Sequence, residues 1–240
     1  MSSCTGLWAE AGNSSRLSPG RKRDMSARPL KHPELLLLLS LLLVIIIYPM
    51  LERTGLGRAL VGFSIFIPLS FATVEMAQLK AWRWRSLLLM GCILALSIAD
   101  AVTTHPIVTS AKWLLVAVFL VMSVAALFSY LRKAQVVTTD HLYSATSIYL
   151  LLALSWFALY SAIDALYPGT FLHSATGGSN RPSDLLYFSF ITLTTCGYGD
   201  ILPISGEVRM LVALEATTGV LYVAITIALL VSGYRTPNKS

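Results

Sequence analysis

Charged residues are scarce in this chain of 240 residues, of which only 12% are Asp, Glu, Lys or Arg and 55% are hydrophobic. A water-soluble domain usually carries about 25% charged residues, because polar groups must face the solvent. The scarcity of charge excludes an ordinary cytosolic enzyme, and the abundance of apolar residues excludes a disordered chain. The composition predicts a protein that is embedded in a membrane.

Cysteine and histidine are also few, and they are scattered along the chain. The three cysteines form no CxxC pair, and the four histidines form no HxxxH or HExxH motif. This spacing argues against a disulfide framework and against a zinc site. We find no catalytic constellation either, so we expect neither an enzyme nor a bound cofactor.

Six apolar runs approach the length of about 20 residues that a transmembrane helix needs. They cover residues 35–51, 59–79, 86–103, 112–131, 142–167 and 207–232. The sequence thus predicts an all-α membrane protein with six transmembrane helices. The polar residues 1–34 predict a disordered cytoplasmic tail, in which Met25 is a candidate start of translation. Residues 233–240 predict a second, short cytoplasmic tail.

The basic residues predict the orientation of these helices. With the N-terminus inside, the inner segments hold 13 of the 18 Lys and Arg residues, which fits the positive-inside rule for an even number of spans. We therefore expect a multi-pass protein of the plasma or inner membrane, in contact with lipid and with both termini in the cytoplasm. This topology accounts for the net charge of +6, so we expect no nucleic acid among the partners.

Residues 183–203 are apolar but too short to span a bilayer. Ser183 is a predicted N-cap, and a helix over residues 184–194 would be about 15 Å long, which reaches halfway into the membrane. The glycines on both sides of Tyr198 tolerate a left-handed backbone, and alternation of the two hands aims successive carbonyls in one direction. Irregular backbone at membrane depth must be buried in protein or line a watery path, and rings of carbonyls can replace the water shell of a cation. The segment therefore predicts a re-entrant helix that leads into a cation pathway.

The run from Thr194 to Asp200 reads TTCGYGD and resembles the selectivity-filter signature of potassium channels in the six-span, voltage-gated-like superfamily, in its prokaryotic type. The resemblance covers about residues 142–232 and includes Pro203 and the helix around Gly219. It implies a pore domain in which four chains form a homotetramer around K⁺. The implied parts are an outer helix, a pore helix over residues 184–194, a filter over residues 195–199 and an inner helix over residues 207–232.

The resemblance also implies a role for each filter residue. Potassium ions would be coordinated by the backbone carbonyls of Thr195, Cys196, Gly197 and Tyr198, with the Thr195 hydroxyl as a further ligand. Gly199 would close the outer mouth of the filter. The side chains expected to support the filter are those of Asp200, Tyr198, Thr194, Tyr187 and Glu215.

Three residues depart from the family pattern. Cys196 stands where Val or Ile is usual, and we interpret it as a small packing substitute, with redox or metal modulation as the alternative. The pair Tyr187-Phe188 replaces the usual tryptophans, so the Tyr187 hydroxyl is expected to serve as the partner of Asp200. On the inner helix, Glu215 is expected to brace the filter or the outer helix, and alternatively to raise the local concentration of cations.

Residues 35–133 predict a four-helix domain that resembles a voltage sensor without gating charges. Residues 113–131 hold no charged residue, whereas a voltage-sensing helix needs several. We therefore expect a K⁺-selective channel that is not steeply voltage-gated, with a non-selective cation channel on the same scaffold as the alternative. Neither the tail of residues 1–34 nor the eight residues 233–240 could hold a ligand-sensing domain, so we expect no such cytoplasmic domain. Gly219 is expected to be either a gating hinge or a point of close helix packing.

Overall fold

The computed structural model describes residues 33–52, 80–103, 105–132, 138–173 and 181–233. The helices in these residues are α1 (Pro33–Leu51), α2 (Lys80–Thr103), α3 (Pro106–Arg132), α4 (Thr139–Leu166), α5 (Pro182–Leu193) and α6 (Gly206–Gly233). The strands are β1 (Phe171–His173) and β2 (Ile201–Pro203). The described part of the chain is thus mainly helical, as the sequence predicts.

Four of the described helices are long and apolar enough to cross a membrane. Their spans are Trp84–Thr103 within α2, Pro106–Arg132, Thr139–Leu166, and Gly206–Val231 within α6. They overlap the predicted third to sixth spans, and their length and apolar composition support the prediction of a helical membrane protein. α1 coincides with the first predicted span, but its apolar stretch Glu34–Met50 is shorter. The predicted second span, residues 59–79, lies outside the described residues, so the count of six stays a prediction.

An aromatic cluster in the core joins α1, α3 and α4. The Phe157 ring on α4 is buried and makes edge-on contacts with Tyr48 of α1 and Trp113 of α3, at centroid distances of 5.5 and 5.1 Å. Aromatic pairs in this geometry contribute about 0.5–1.5 kcal/mol each beyond the burial of their area. The first helix is therefore fastened directly to the helix that precedes the predicted pore segment.

A polar contact joins α2 to α3 near the turn between them. The Asp100 carboxylate pairs with the Lys112 amine and accepts a hydrogen bond from the Thr109 hydroxyl. The Lys112 amine also lies 5.1 Å from the centre of the Trp113 ring. Both charged side chains are mostly buried, with exposed fractions of 13% and 18% for Lys112 and Asp100. The pairing compensates the two charges near one end of the apolar spans.

The two strands are a difference from the all-α prediction. β1 and β2 pair antiparallel, with Phe171 opposite Pro203 and His173 opposite Ile201. Phe171 and Ile201 are buried. The next residue of each strand, Leu172 or Leu202, is exposed. The strands form because this alternation lets each three-residue segment bury one side chain while its backbone groups find partners.

Candidate functional site

α5 is the element around which the candidate site is built. Its 12 residues give a length of about 18 Å, which is too short to cross a bilayer. It packs between α4 and α6. The Phe188 ring of α5 lies 5.6 Å from Tyr160 of α4 and 5.4 Å from Phe171 of β1. These contacts fix the helix within the part of the chain that links the last two spans.

The start of α5 differs from the prediction. The N-cap is Arg181 rather than Ser183, and Pro182 occupies the first helical position, where its fixed φ suits a helix start. Asp184 accepts a hydrogen bond from the Arg181 backbone N–H at 2.9 Å. Ser183 instead donates its backbone N–H to the carboxylate of Glu52, at 3.2 Å. Glu52 follows α1, so the first helix also contacts the start of α5.

The segment after α5 folds back on the last turn of the helix. The Ile191 carbonyl accepts two hydrogen bonds, from the N–H of Cys196 at 2.8 Å and of Gly197 at 3.1 Å. The N–H of Thr195 donates to the Thr192 carbonyl at 2.9 Å. The Thr194 hydroxyl donates to carbonyls of its own helix rather than to the predicted filter. The chain after Leu193 is therefore held by backbone groups at the carboxyl end of α5.

Left-handed backbone occurs at alternate residues of this segment. Thr195, Gly197 and Gly199 have φ values of 59°, 49° and 77°. Glycine adopts these values freely, but for Thr195 the conformation costs about 1–3 kcal/mol and must be stabilised by its surroundings. Residues 194–199 are exposed in the single chain, and the Tyr198 side chain is 71% exposed.

Tyr187 and Asp200 come together across the segment. The Tyr187 phenol lies near enough to the Asp200 carboxylate to interact with it electrostatically. Desolvation, and next the negative charge of Asp200, raise the pKa of the Tyr187 phenol above its ordinary value. Asp200 also accepts from the Ile201 N–H at 3.1 Å. The carboxylate therefore links the middle of α5 to the chain that follows the glycines.

Glu215 lies at a junction of three helices. Its side chain is fully buried on α6. One carboxyl oxygen lies 2.6 Å from the Tyr160 hydroxyl of α4, and the other lies 2.6 Å from the Ser189 hydroxyl of α5. Sequence reasoning selected Glu215 but neither Tyr160 nor Ser189. The sequence offered one signal for these two residues: each is a polar side chain inside an apolar run, Tyr160 in residues 142–167 and Ser189 in residues 183–203.

Gly219 lies where α6 approaches the end of α5. A Cβ atom at this position would lie 2.0 Å from the Leu193 carbonyl oxygen. The same oxygen accepts a hydrogen bond of 3.4 Å from the Tyr149 hydroxyl. Of the two interpretations of Gly219, the geometry favours close packing, because no side chain fits between the two backbones.

The described residues hold no group of three or more His, Cys, Asp or Glu side chains that could bind a metal ion. The Cys196 thiol is free and exposed in the single chain.

Part of the chain matches the model of a known family. Residues 136–235 match the family model described as ion channel. This range contains α4, α5, both strands and α6, so the match falls on the part of the chain that carries the candidate site. It supports the prediction of an ion channel for this part of the chain.

Comparison with individual proteins gives a more specific similarity. The chain is 32% identical over 97 residues to the "Inward rectifier potassium channel Kirbac3.1" of Paramagnetospirillum magnetotacticum. The similarity covers 39% of this chain, and the chain spans only 29% of the length of that relative. No solved structure matches the chain.

Proposed function

We propose that this chain is one subunit of a homotetrameric channel that conducts K⁺ passively and selectively across a cell membrane. The observation that carries the proposal is the left-handed backbone at Thr195, Gly197 and Gly199, directly after a helix too short to span. When right-handed and left-handed backbone conformations alternate, successive carbonyl oxygens point in one direction and can line an ion path. The match of residues 136–235 to an ion channel model supports the same conclusion.

The proposed ion sites use the backbone. The carbonyls of Thr195, Cys196, Gly197 and Tyr198, together with the Thr195 hydroxyl, would replace the water shell of K⁺. The carboxyl end of α5 precedes them, and its partial negative charge favours a cation. One chain supplies only one wall of such a path, and residues 194–199 are exposed in the single chain. Four chains around one axis would complete the ring and cover these residues.

Selectivity for K⁺ requires a filter with a fixed geometry. Several contacts would hold the proposed filter segment in place. The Tyr187 phenol lies close to the carboxylate of Asp200, which follows the filter. Gly219 lets α6 lie directly against the end of α5. The relative from Paramagnetospirillum magnetotacticum is named as a potassium channel. The absence of charged residues from 113–131 supports a channel without steep voltage gating.

Flux into liposomes tests the proposal. Purified protein is reconstituted in vesicles with a K⁺ gradient, and the influx of K⁺ is compared with that of Na⁺. We expect flux in K⁺ and little in Na⁺. Equal flux of both ions would favour the non-selective cation channel, and the absence of flux from folded, reconstituted protein would refute the channel.

Two matched glycine variants test the filter itself. Gly197→Ala places a side chain at a φ of 49°, which L-residues rarely adopt. We expect it to abolish either the flux or its selectivity. Gly91→Ala makes the same chemical change at a position on α2 where a Cβ meets nothing within 4 Å, and we expect wild-type flux. Unchanged selectivity and flux in Gly197→Ala would contradict the filter assignment.

A further inference from the structure

The contacts of Glu215 form a chain of three hydrogen bonds. The Tyr160 hydroxyl lies 2.6 Å from one carboxyl oxygen of Glu215, and the Ser189 hydroxyl lies 2.6 Å from the other. The Ser189 oxygen also lies 2.7 Å from the Ala153 carbonyl oxygen on α4. These distances are all those of good hydrogen bonds between oxygens. The chain runs from α4 through α6 and α5 back to α4.

The number of protons available decides the state of the carboxyl group. A serine hydroxyl carries one proton, and a carbonyl oxygen can only accept. The contact between Ser189 and Ala153 therefore uses the Ser189 proton. The contact between Ser189 and Glu215 then needs a proton from the carboxyl group, while Tyr160 donates its own proton to the second carboxyl oxygen. The three hydrogen bonds exist together only when Glu215 is the neutral acid.

The surroundings of Glu215 favour the same state. The side chain has no exposure to solvent, and an unpaired buried carboxylate is strongly disfavoured. The titratable groups that interact with it within the described residues are two phenols of α4, Tyr160 and Tyr149. None of the ion pairs seen in the described ranges involves Glu215. No neighbouring cation described there would hold the ionised form.

We propose that Glu215 is protonated in the conducting channel and that this proton completes the hydrogen bonds that hold α5 against α4 and α6. The proposal rests on the proposed function. Glu215 is a positioning residue, because it acts on the filter through Ser189 of α5 and does not contact the ion. Loss of the proton at alkaline pH leaves Ser189 with one proton for two acceptors, so one of the three bonds is lost. Conduction is therefore retained at neutral pH and falls as the pH rises.

The pH profile of K⁺ flux tests this role in reconstituted full-length protein. In Glu215→Gln, the amide can donate to Ser189 and accept from Tyr160, as the neutral acid does, but it cannot ionise. We expect wild-type flux to fall severalfold on alkalinisation and Glu215→Gln flux to stay level. The control is Glu207→Gln, which removes an exposed carboxylate from the first turn of the same helix. It should keep the wild-type profile.

A second variant tests the direction of the effect. Tyr160→Phe removes the donor to one carboxyl oxygen, and that hydrogen bond stabilises the carboxylate more than the acid. We expect the loss of flux to move to higher pH in this variant. A shift to lower pH, or profiles that are identical in the wild type and Glu215→Gln, would overturn the proposal.

Infrared spectroscopy separates this proposal from the proposed function, because it needs no flux. A protonated carboxyl group has a carbonyl stretch that Glu215→Gln lacks, so the difference between the two spectra isolates this group. A band at neutral pH that disappears in step with the flux supports the proposal. The absence of the band at neutral pH in a conducting protein would overturn it. A band in a protein that conducts no ions would overturn the proposed function while the proton assignment stands.

Discussion

Replacement of Gly219 by Ala tests whether the approach of α6 to α5 sets the position of the filter. The new Cβ would lie 2.0 Å from the Leu193 carbonyl oxygen, and ordinary contact begins at 3.4 Å, so the two backbones must separate by about 1.4 Å. The obstacle is a main-chain atom, so no change of rotamer can relieve it. Overpacking of this kind costs about 1–3 kcal/mol.

The matched control for this variant is Gly91→Ala, where a Cβ meets nothing within 4 Å. Both substitutions lie inside helices and gain up to about 1 kcal/mol from helix propensity. The difference between the two variants therefore isolates the clash, and we expect it to be about 1–3 kcal/mol in the free energy of unfolding.

Thermal unfolding in detergent, followed by tryptophan fluorescence, measures this difference. We expect a lower Tm for Gly219→Ala than for Gly91→Ala. We also expect weaker K⁺ flux or selectivity in liposomes, because Leu193 is the last residue of α5 before the filter. Equal Tm values together with altered opening would refute the packing argument and favour a hinge at Gly219.

Three further predictions concern other parts of the chain. Cys196→Val should keep K⁺ flux close to the wild-type value, because the proposed site uses the carbonyl; a large loss of flux would instead indicate a role for the thiol. Asp100→Asn should lower stability by about 1–3 kcal/mol, since it leaves the mostly buried Lys112 amine without its carboxylate. The double variant with Lys112→Met should recover part of that loss in thermal unfolding. Gating-current recordings should show almost no charge movement, because residues 113–131 are uncharged, and several charges per subunit would contradict this expectation.

The positions of the long helices follow from hydropathy, but their ends do not. The predicted fourth span began at residue 112, whereas α3 begins at Pro106. The additional turns contain Thr109, and Lys112 lies just after them, so the polar residues near this end find their partner in Asp100 of α2. The hydropathy run does not extend back through the polar residues Thr109 and Ser110, and the helix includes them because tertiary contacts satisfy such polar groups.

The sequence predicted those parts of the candidate site that depend on local patterns, but not those that depend on long-range contacts. The glycine pattern is local, so it indicates left-handed backbone without any knowledge of the rest of the fold. The partners of Glu215 are not local, because Tyr160 and Ser189 lie 55 and 26 residues away. The pairing of β1 with β2 is likewise long-range, and three-residue strands are too short for a periodic pattern to appear.

The pairing of the two strands has a consequence for the order in which the chain folds. His173 pairs with Ile201, so the strands close a loop that contains α5 and the proposed filter. Closing a flexible loop of roughly 28 residues costs about 3 kcal/mol in chain entropy. An isolated two-stranded pair is marginally stable at best. The strands are therefore expected to pair only after α5 has docked on α4, which makes the proposed filter one of the last parts of each chain to acquire its native geometry.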